Sequence, residues 1–353
     1  MTRPARVIVD TSALQSNLAL VRQRVPNSKI MAIVKADGYG HGVNRVGNAL
    51  EGTDAFGVAC IEEATTLREG GARKPIVLLE GPFDSGEIKL INEYNLQPVI
   101  HNNHQLEMML VERCQAPVWV KIDSGMHRLG FSLEEAAKVL QTLSDNGNLI
   151  RCMTHLANAH QLDDKNTLVQ IDKFLTATKG FFGEKSIANS AGVLGWDKSV
   201  AEWARPGIML YGVSPFSDKT GAELGLQAAM TVKSQLISVT EVSGGGSVGY
   251  GRGFVCDENM KVGVVAFGYG DGYPRAAGTG TPILINGRQT QVIGEVSMDM
   301  LTVDLRGIDN PSIGDEVTLW GADLPVEIVA KSANTIPYEL LCRVRMRARY
   351  VEN

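Results

Sequence analysis

The chain has 353 residues, long for one domain and suited to two; 44% of them are hydrophobic and 21% charged, enough for a large core under a soluble surface. A formal net charge of −5 leaves no basic footprint for nucleic acid. Five scattered cysteines (Cys60, Cys114, Cys152, Cys256, Cys342) form no Cys-x-x-Cys pair, which argues against a disulfide framework or a zinc knuckle and suits a reducing compartment. The opening MTRPARVIVD has an early aspartate and no long apolar run. Neither a signal peptide nor a membrane span is expected, and a cytoplasmic enzyme-sized protein is.

From Lys29 to about Gly212 short apolar runs alternate with amphipathic stretches. The predicted strands are Lys29–Lys35, Ala55–Cys60, Pro75–Glu80, Gln97–His101, Val118–Asp123, Ile150–His155, Ser186–Ser190 and Ala204–Leu210. Predicted helices lie between them at Val43–Leu50, Ile61–Glu69, Glu87–Tyr94, His104–Arg113, Leu133–Leu143 and Thr167–Thr178, with a weakly patterned one near Val193–Val200. Glu134 and Glu135 enrich the first turn of the Leu133 helix and Asn146-Gly147 follows its end, both ordinary boundary signals. Eight strands alternating with helices predict an α/β fold, a parallel (β/α)8 TIM-type barrel, with an open doubly wound sheet as the competitor. The glycine-rich break GYGHG is not G-x-G-x-x-G with an acidic residue about 20 positions on, so a dinucleotide site has little support. After about Leu226 the texture turns β-rich, in TVKSQLISVTEV, KVGVVAFGYGDGY, TPILINGRQTQVIGEVSMDMLTVDL and GDEVTLWG. Asn286-Gly287 between two apolar runs is the strongest hairpin signal, and a short helix is predicted near Val326–Ser332. The expected organisation is a barrel domain over 1–226 followed by a mostly β C-terminal domain over 227–353.

In a β/α barrel the chemistry sits where the strands end. The first strand runs into AIVKADGYGHG, with Lys35 at its carboxyl end and Tyr39 beyond. An apolar strand end desolvates an ammonium and frees its amine for nucleophilic or base chemistry, although a lysine can also snorkel out of such a strand. The fifth strand ends KIDSGMHRLG and presents Lys121, Asp123 and Arg128; the sixth ends in His155; the seventh ends ANSAG, with Asn189 and Ser190; the eighth carries Arg205, Pro206, Gly207 and Ile208. Barrels often bind phosphate after strands seven and eight, where Ser190 offers a hydroxyl and Gly207 an approachable amide. Taken singly, His155 reads equally as a core histidine and Ser190 as a turn residue. Taken together, a lysine amine facing a phosphate corner fits a phosphate-bearing aldehyde, pyridoxal phosphate.

AIVKADGYGHG, KIDSGMHRLG, THLANAH, WARPGIMLYG, SVGYG, GYGDGYPR, SMDM and IPYEL, in that order from about residue 6 to 350, resemble the bacterial alanine racemases. The resemblance implies a fold type III pyridoxal 5′-phosphate enzyme, a barrel followed by a β domain, working as a head-to-tail homodimer with shared active sites and no metal. By motif match, Lys35 is the Schiff-base lysine and one catalytic base, and Tyr250 of the partner subunit is the opposite base. Arg205 faces the pyridine nitrogen, and His155 hydrogen-bonds Tyr250 or Arg205. Tyr39, Asn189, Ser190, Gly207, Ile208 and Tyr338 hold the cofactor, most of them around its phosphate. Arg128 touches the phenolic oxygen and the substrate carboxylate. Met298 of the partner subunit gives a backbone N–H to that carboxylate. Tyr269 and Tyr338 narrow the entrance, with Asp299 nearby. Lys121 matches a lysine that is often carbamylated in this family. The implied activity interconverts L- and D-alanine, supplying D-alanine for peptidoglycan or serving alanine catabolism.

These residue types suit racemisation, which removes the α-proton from one face and returns it on the other. A tyrosine acting near pH 7 needs a shift of about three units, roughly 4 kcal/mol, part of which a nearby cation or a hydrogen bond supplies. Arg205 is a poor proton donor, so the ring nitrogen stays unprotonated and transamination is restrained. The alternative, a fold type III amino-acid decarboxylase, resembles its relatives in a Glu-Pro-Gly-Arg motif; here the stretch reads Arg205-Pro206-Gly207-Ile208, without the carboxylate. A non-catalytic pyridoxal-phosphate carrier lacks a second domain, which this chain is expected to have. Departures from the family are AlaAspGlyTyr at 36–39, where Gly38 is expected to loosen the loop, His160 where aspartate is usual, GRGFV beginning at Gly251, and CRVRMRARYV near the end.

Overall fold

In the computed structural model residues 3–344 and 347–352 are described, so Arg345 and Met346 of the CRVRMRARYV stretch lie outside the described residues. The chain begins with β1 (Arg6–Val9) and the helix Thr11–Arg24. It then winds a closed parallel barrel from β2 (Lys29–Ile33), β3 (Ala55–Val58), β4 (Ile76–Leu78), β5 (Leu96–Ile100), β6 (Val118–Lys121), β7 (Ile150–Met153), β8 (Lys185–Ser186) and β9 (Trp203–Ala204). Lys29 opposite Trp203 and Ile30 opposite Ala204 close the ring. AFGV, IVL and VWVK are buried along their whole length, as parallel strands must be when helices cover one face and side chains fill the other.

The strands stop short of their predicted ends, and the reason lies at the carboxyl face. Past β9 the amides of Gly207 and Met209 donate to the Ser190 hydroxyl rather than to a ladder, and Ile208–Tyr211 closes into a 3-10 turn. The weak helix predicted at Val193–Val200 begins earlier and splits, into Ser190–Gly195 and a 3-10 turn Asp197–Ser199, because Asn189 Oδ1 caps Gly192 N at 3.0 Å. Leu133–Glu135 is a first turn held by reciprocal Ser132–Glu135 hydrogen bonds, and the regular helix runs Ala136–Asp145. At the opposite, amino-terminal end of the barrel, Glu184 accepts from Arg151 Nε at 2.6 Å, Trp203 Nε1 at 2.9 Å and Lys29 Nζ. Burial pushes its carboxyl up, but these three donors outweigh that and bring it down to about 2.

The mostly β part centres on the long strand β10 (Met230–Val242), whose burial alternates over its first half. With it come β11 (Ser247–Val248), β12 (Phe254–Val255), β13 (Met260–Val265), β14 (Pro282–Ile285), β15 (Arg288–Gln291), β16 (Leu301–Asp304), β17 (Glu316–Trp320) and β18 (Arg349–Glu352). The main sheet runs β15-β14-β17-β10-β1-β18, with β13 on β10 and β16 on β13, while β11 and β12 pair separately. Asn286 and Gly287, at φ 49° and 79°, form the predicted two-residue hairpin between Ile285 and Arg288. In this core Tyr273 stacks on Trp320 and meets Phe267 edge-on, and Val326–Ser332 is helical.

Two compact units result. Among the described residues, one holds Gln15–Leu210 with Pro215–Asp218; the other holds those before Gln15, Tyr211–Ser214 and those from Lys219 onward. The expected division at 226/227 is therefore drawn differently. Arg6–Val9 belongs to the second unit because it pairs antiparallel with β10 (Val7 with Val232) and parallel with β18 (Val7 with Tyr350). Among the described residues no helix is long and apolar enough to cross a membrane.

Candidate active site

Lys35 stands two residues past the end of β2, half-buried behind the fully packed run from Ile30 to Val34. The backbone then does something few L-residues do. Ala36, Asp37, Gly38 and Tyr39 take φ of 53°, 53°, 62° and 52°. Gly38 N donates to Val34 O and Gly40 N to Ala36 O, both at 2.9 Å, which makes one turn of left-handed helix. That hand costs roughly 1–2 kcal/mol per L-residue, so Ala36, Asp37 and Tyr39 store on the order of 3–6 kcal/mol between them. Gly38 does not loosen this turn. It is buried, and a Cβ there would meet Val46 Cγ2 at 2.7 Å.

Side chains from nearby elements hold the turn. Glu63 Oε1 accepts Ala36 N at 2.6 Å, and Asp37 Oδ1 accepts Val43 N at 2.7 Å. His41 is fully buried, and its Nδ1 faces the carbonyls of Tyr39 (2.9 Å) and Gly38 (3.1 Å), so that nitrogen carries the proton. Burial pulls the imidazole down to about 4, leaving it neutral.

The turn brings the Tyr39 hydroxyl to the end of β9: a Cβ on Gly207 would lie 2.6 Å from it. Gly207 N also lies 2.9 Å from Ser190 Oγ, and Ile208 is buried alongside. Tyr39, Ser190, Gly207 and Ile208 thus share one corner of hydroxyls and bare backbone. Arg205, only 5% exposed, donates to Ser186 Oγ at 2.6 Å, to Thr154 O, and to Ile187 O at 3.4 Å. These acceptors are neutral. Burial pulls the guanidinium down to about 10, which still leaves it cationic at pH 7.

Lys121 closes β6, and burial, then the charges of Arg205, Arg128 and Lys35, pull its ammonium down to about 8; Glu80 pulls the other way. His155 is held well below the usual imidazole range by burial and then by the same cations together with Lys121. Lys121, Arg128, Thr154 and His155 line one small hollow. Asp123, predicted at this strand end, serves the loop instead: its carboxylate accepts the amides of Gly125, Met126 and His127, just before the exposed Arg128. Cations beside hydroxyls and bare amides are the chemistry that suits a phosphate-bearing aldehyde, and Lys35 offers a primary amine among them. Among the described residues no group of His, Cys, Asp and Glu is arranged to hold a metal ion.

The remaining predicted residues lie on the second unit. Tyr250 opens a 3-10 turn between β11 and β12 and is 70% exposed. Tyr269 and Met298 sit on two loops laced together, with Tyr269 N on Ser297 O at 3.1 Å and Gly270 N on Met298 O at 2.8 Å. Asp299 Oδ1 accepts from Arg347 at 2.7 Å. Arg347 also pairs with the buried Asp271, which takes two hydrogen bonds from Arg3, at 3.1 and 2.8 Å. Tyr338 is on the helix Pro337–Arg343, and burial pushes its phenol up to about 12. Sequence reading missed Glu63, His41, Arg3 and Asp271 as supports. Only His41 and Asp271 fall inside quoted motifs; nothing local marks Arg3 or Glu63.

The chain is similar to known proteins over nearly its whole length. Residues 9–215 match the family model "Alanine racemase, N-terminal domain" and residues 229–352 the model "Alanine racemase, C-terminal domain". An alanine racemase of Vibrio vulnificus is 49% identical over 350 residues, 98% of either chain, and one of Nitrosomonas europaea is 48% identical over all of this chain and 99% of its own. Among solved structures, the biosynthetic alanine racemase of Pseudomonas aeruginosa aligns over the whole of both chains with a TM-score of 0.95 at 41% identity. The Bartonella henselae alanine racemase, solved with covalently bound pyridoxal phosphate, aligns over 99% of both with a TM-score of 0.91 at 28% identity. The chain belongs to the alanine racemase family.

Proposed function

We propose that this protein interconverts L-alanine and D-alanine with pyridoxal 5′-phosphate held at the barrel mouth, as a homodimer whose subunits share their active sites. The observation that carries the reading is Arg205: a buried cation whose hydrogen-bond acceptors among the described residues are neutral, in the field of Lys35, Lys121 and Arg128. When bound, the cofactor supplies an electron-withdrawing ring that makes a substrate α-proton removable. Lys35 Nζ would be the point of attachment for the group, and as a free amine it would carry a proton on one side of the substrate α-carbon. Tyr250 of the partner subunit carries it on the other, so configuration inverts without the substrate turning over. Arg205 toward the ring nitrogen gives up no proton, which keeps electron withdrawal modest and favours proton return to the α-carbon.

Tyr39, Asn189, Ser190, Gly207, Ile208 and Tyr338 hold the cofactor. Arg128 and the Met298 amide of the partner subunit take the substrate carboxylate, while Tyr269 and Asp299 narrow the way in. His155, neutral, orients Arg205 or the tyrosine. A carbamate on Lys121 steadies Arg128. Exposed Tyr250, Val255, Met298 and Met300 on the second unit support a surface that a second copy covers. In the cytoplasm the activity supplies D-alanine for peptidoglycan or serves alanine catabolism.

Incubating L-alanine with purified protein and pyridoxal phosphate tests this. Optical activity should decay to zero with no carbon dioxide released. Gas release would move the chain to the decarboxylases and overturn the reading of Arg205.

A further inference from the structure

Glu63 lies outside every motif that points to chemistry, yet its carboxylate ties the carboxyl ends of two neighbouring barrel strands together. Oε1 accepts the amide of Ala36, the residue after Lys35, at 2.6 Å. Oε2 accepts the amide of Ala59, one residue past β3, at 2.8 Å. Glu63 is the third residue of the helix Ile61–Glu69, whose N-cap, Cys60, makes no side-chain cap hydrogen bond. A glutamate in that position ordinarily turns back onto the N-cap's own amide. Here it reaches past the N-cap to Ala59, and across to the next strand.

We propose that Glu63 is a positioning residue for Lys35: it clamps the first amide of the left-handed turn and so fixes where the lysine amine points relative to Tyr39. The inference rests on the reading of Lys35 given above. The first N–H of a helical turn has no partner within the turn. Unclamped, Ala36 and Asp37 are free to leave a conformation that L-residues disfavour. Lys35 and Tyr39 stand four residues apart and share a face only while the turn between them stays helical. Asp37 on Val43 N and His41 on the Tyr39 and Gly38 carbonyls tie the turn further along; the Glu63 bond acts on the peptide joined to Lys35 itself.

The test compares wild type, Glu63→Ala, Glu63→Gln and Glu62→Ala. Hydrogen exchange across residues 36–42 is measured on cofactor-free protein. Alanine racemisation and the thermal midpoint are measured on the holoenzyme. In Glu63→Ala, exchange across 36–40 should quicken about tenfold or more, and kcat per bound cofactor should fall about 10- to 100-fold with KM within about twofold, the usual cost of a misplaced reacting group. Glu63→Gln accepts from one amide but not from both, and should fall between. Glu62→Ala should match wild type. Wild-type exchange in Glu63→Ala would overturn the clamp. So would an unchanged kcat per bound cofactor with only the thermal midpoint lowered. Wild-type inactivity on alanine would sink the functional reading alone, and exchange would still decide the clamp.

Discussion

His41 and Lys121 are buried bases, and each gives the protein a pH response whose sign follows from its surroundings. His41 titrates near 4 when folded, against 6.5 as its ordinary value. Between those pH values the unfolded chain binds a proton that the folded chain refuses. Stability is therefore complete above about pH 6.5 and falls toward pH 4, by roughly 3 kcal/mol at 1.36 kcal/mol per unit. His155 adds a loss in the same direction. Urea unfolding of His41→Gln should show a flatter slope over this window; an unchanged slope would mean that His41 titrates normally. Lys121, near 8 when folded against 10.5 ordinarily, makes stability rise as pH climbs from 8 to 10.5. At pH 7 about a tenth of it is neutral amine, far more than for a free lysine. The neutral amine is the form that takes up carbon dioxide. Isotopically labelled bicarbonate should give a carbamate NMR signal that is missing from Lys121→Met.

Among the elements, the left-handed turn is the one on which the site depends most. Gly38→Ala should destabilise the fold by about 1–3 kcal/mol, because it puts a Cβ 2.7 Å from Val46 Cγ2 on a backbone at φ +62°. Denaturant midpoints would check this. Gly207→Ala belongs to the same corner, where the new methyl would lie 2.6 Å from the Tyr39 hydroxyl. It should weaken pyridoxal phosphate binding about tenfold or more, and wild-type affinity would show that this corner is not where the phosphate sits. The break after Lys35 was legible in the sequence, since an apolar run gives way to glycines. Its hand was not. Ala-Asp-Gly-Tyr reads as an open loop until Glu63, Asp37 and His41 are seen to satisfy the left-handed backbone. The shortness of the barrel strands β8 and β9 was likewise unreadable, because the chain stays buried past the ladder's end while the amides of Gly207 and Met209 turn to Ser190.

For the whole molecule the sharpest prediction concerns shared sites. Lys35→Ala and Tyr250→Phe should each be inactive alone, the second with cofactor still bound. Subunits of the two, unfolded and refolded together, should recover about a quarter of wild-type activity: half the dimers are mixed, and each mixed dimer has one intact site of two. No recovery would mean that both residues serve within one chain. Periodicity left an open sheet as competitor to the closed barrel and gave no sign of Arg6–Val9, Thr11–Arg24 or Pro337–Arg343, but the alternation of strands and helices from Lys29 to about Gly212 and the β-rich stretch after it were determined by the sequence itself, because burial periodicity and turn chemistry are local. So was the gathering of Lys35, Lys121, His155, Ser190, Arg205 and Gly207 at one face, since parallel barrel strands all end there. The tertiary structure alone decided the hand of the turn beside Lys35, the acceptors of Arg205 and the place of Arg6–Val9 in the second sheet. Each of these hangs on groups remote in the chain. Glu63 is 27 residues from Ala36, Thr154 is 51 from Arg205, and β1 pairs with the last strand. Hydrogen bonds and charge fields act through space, and a local pattern carries no record of them.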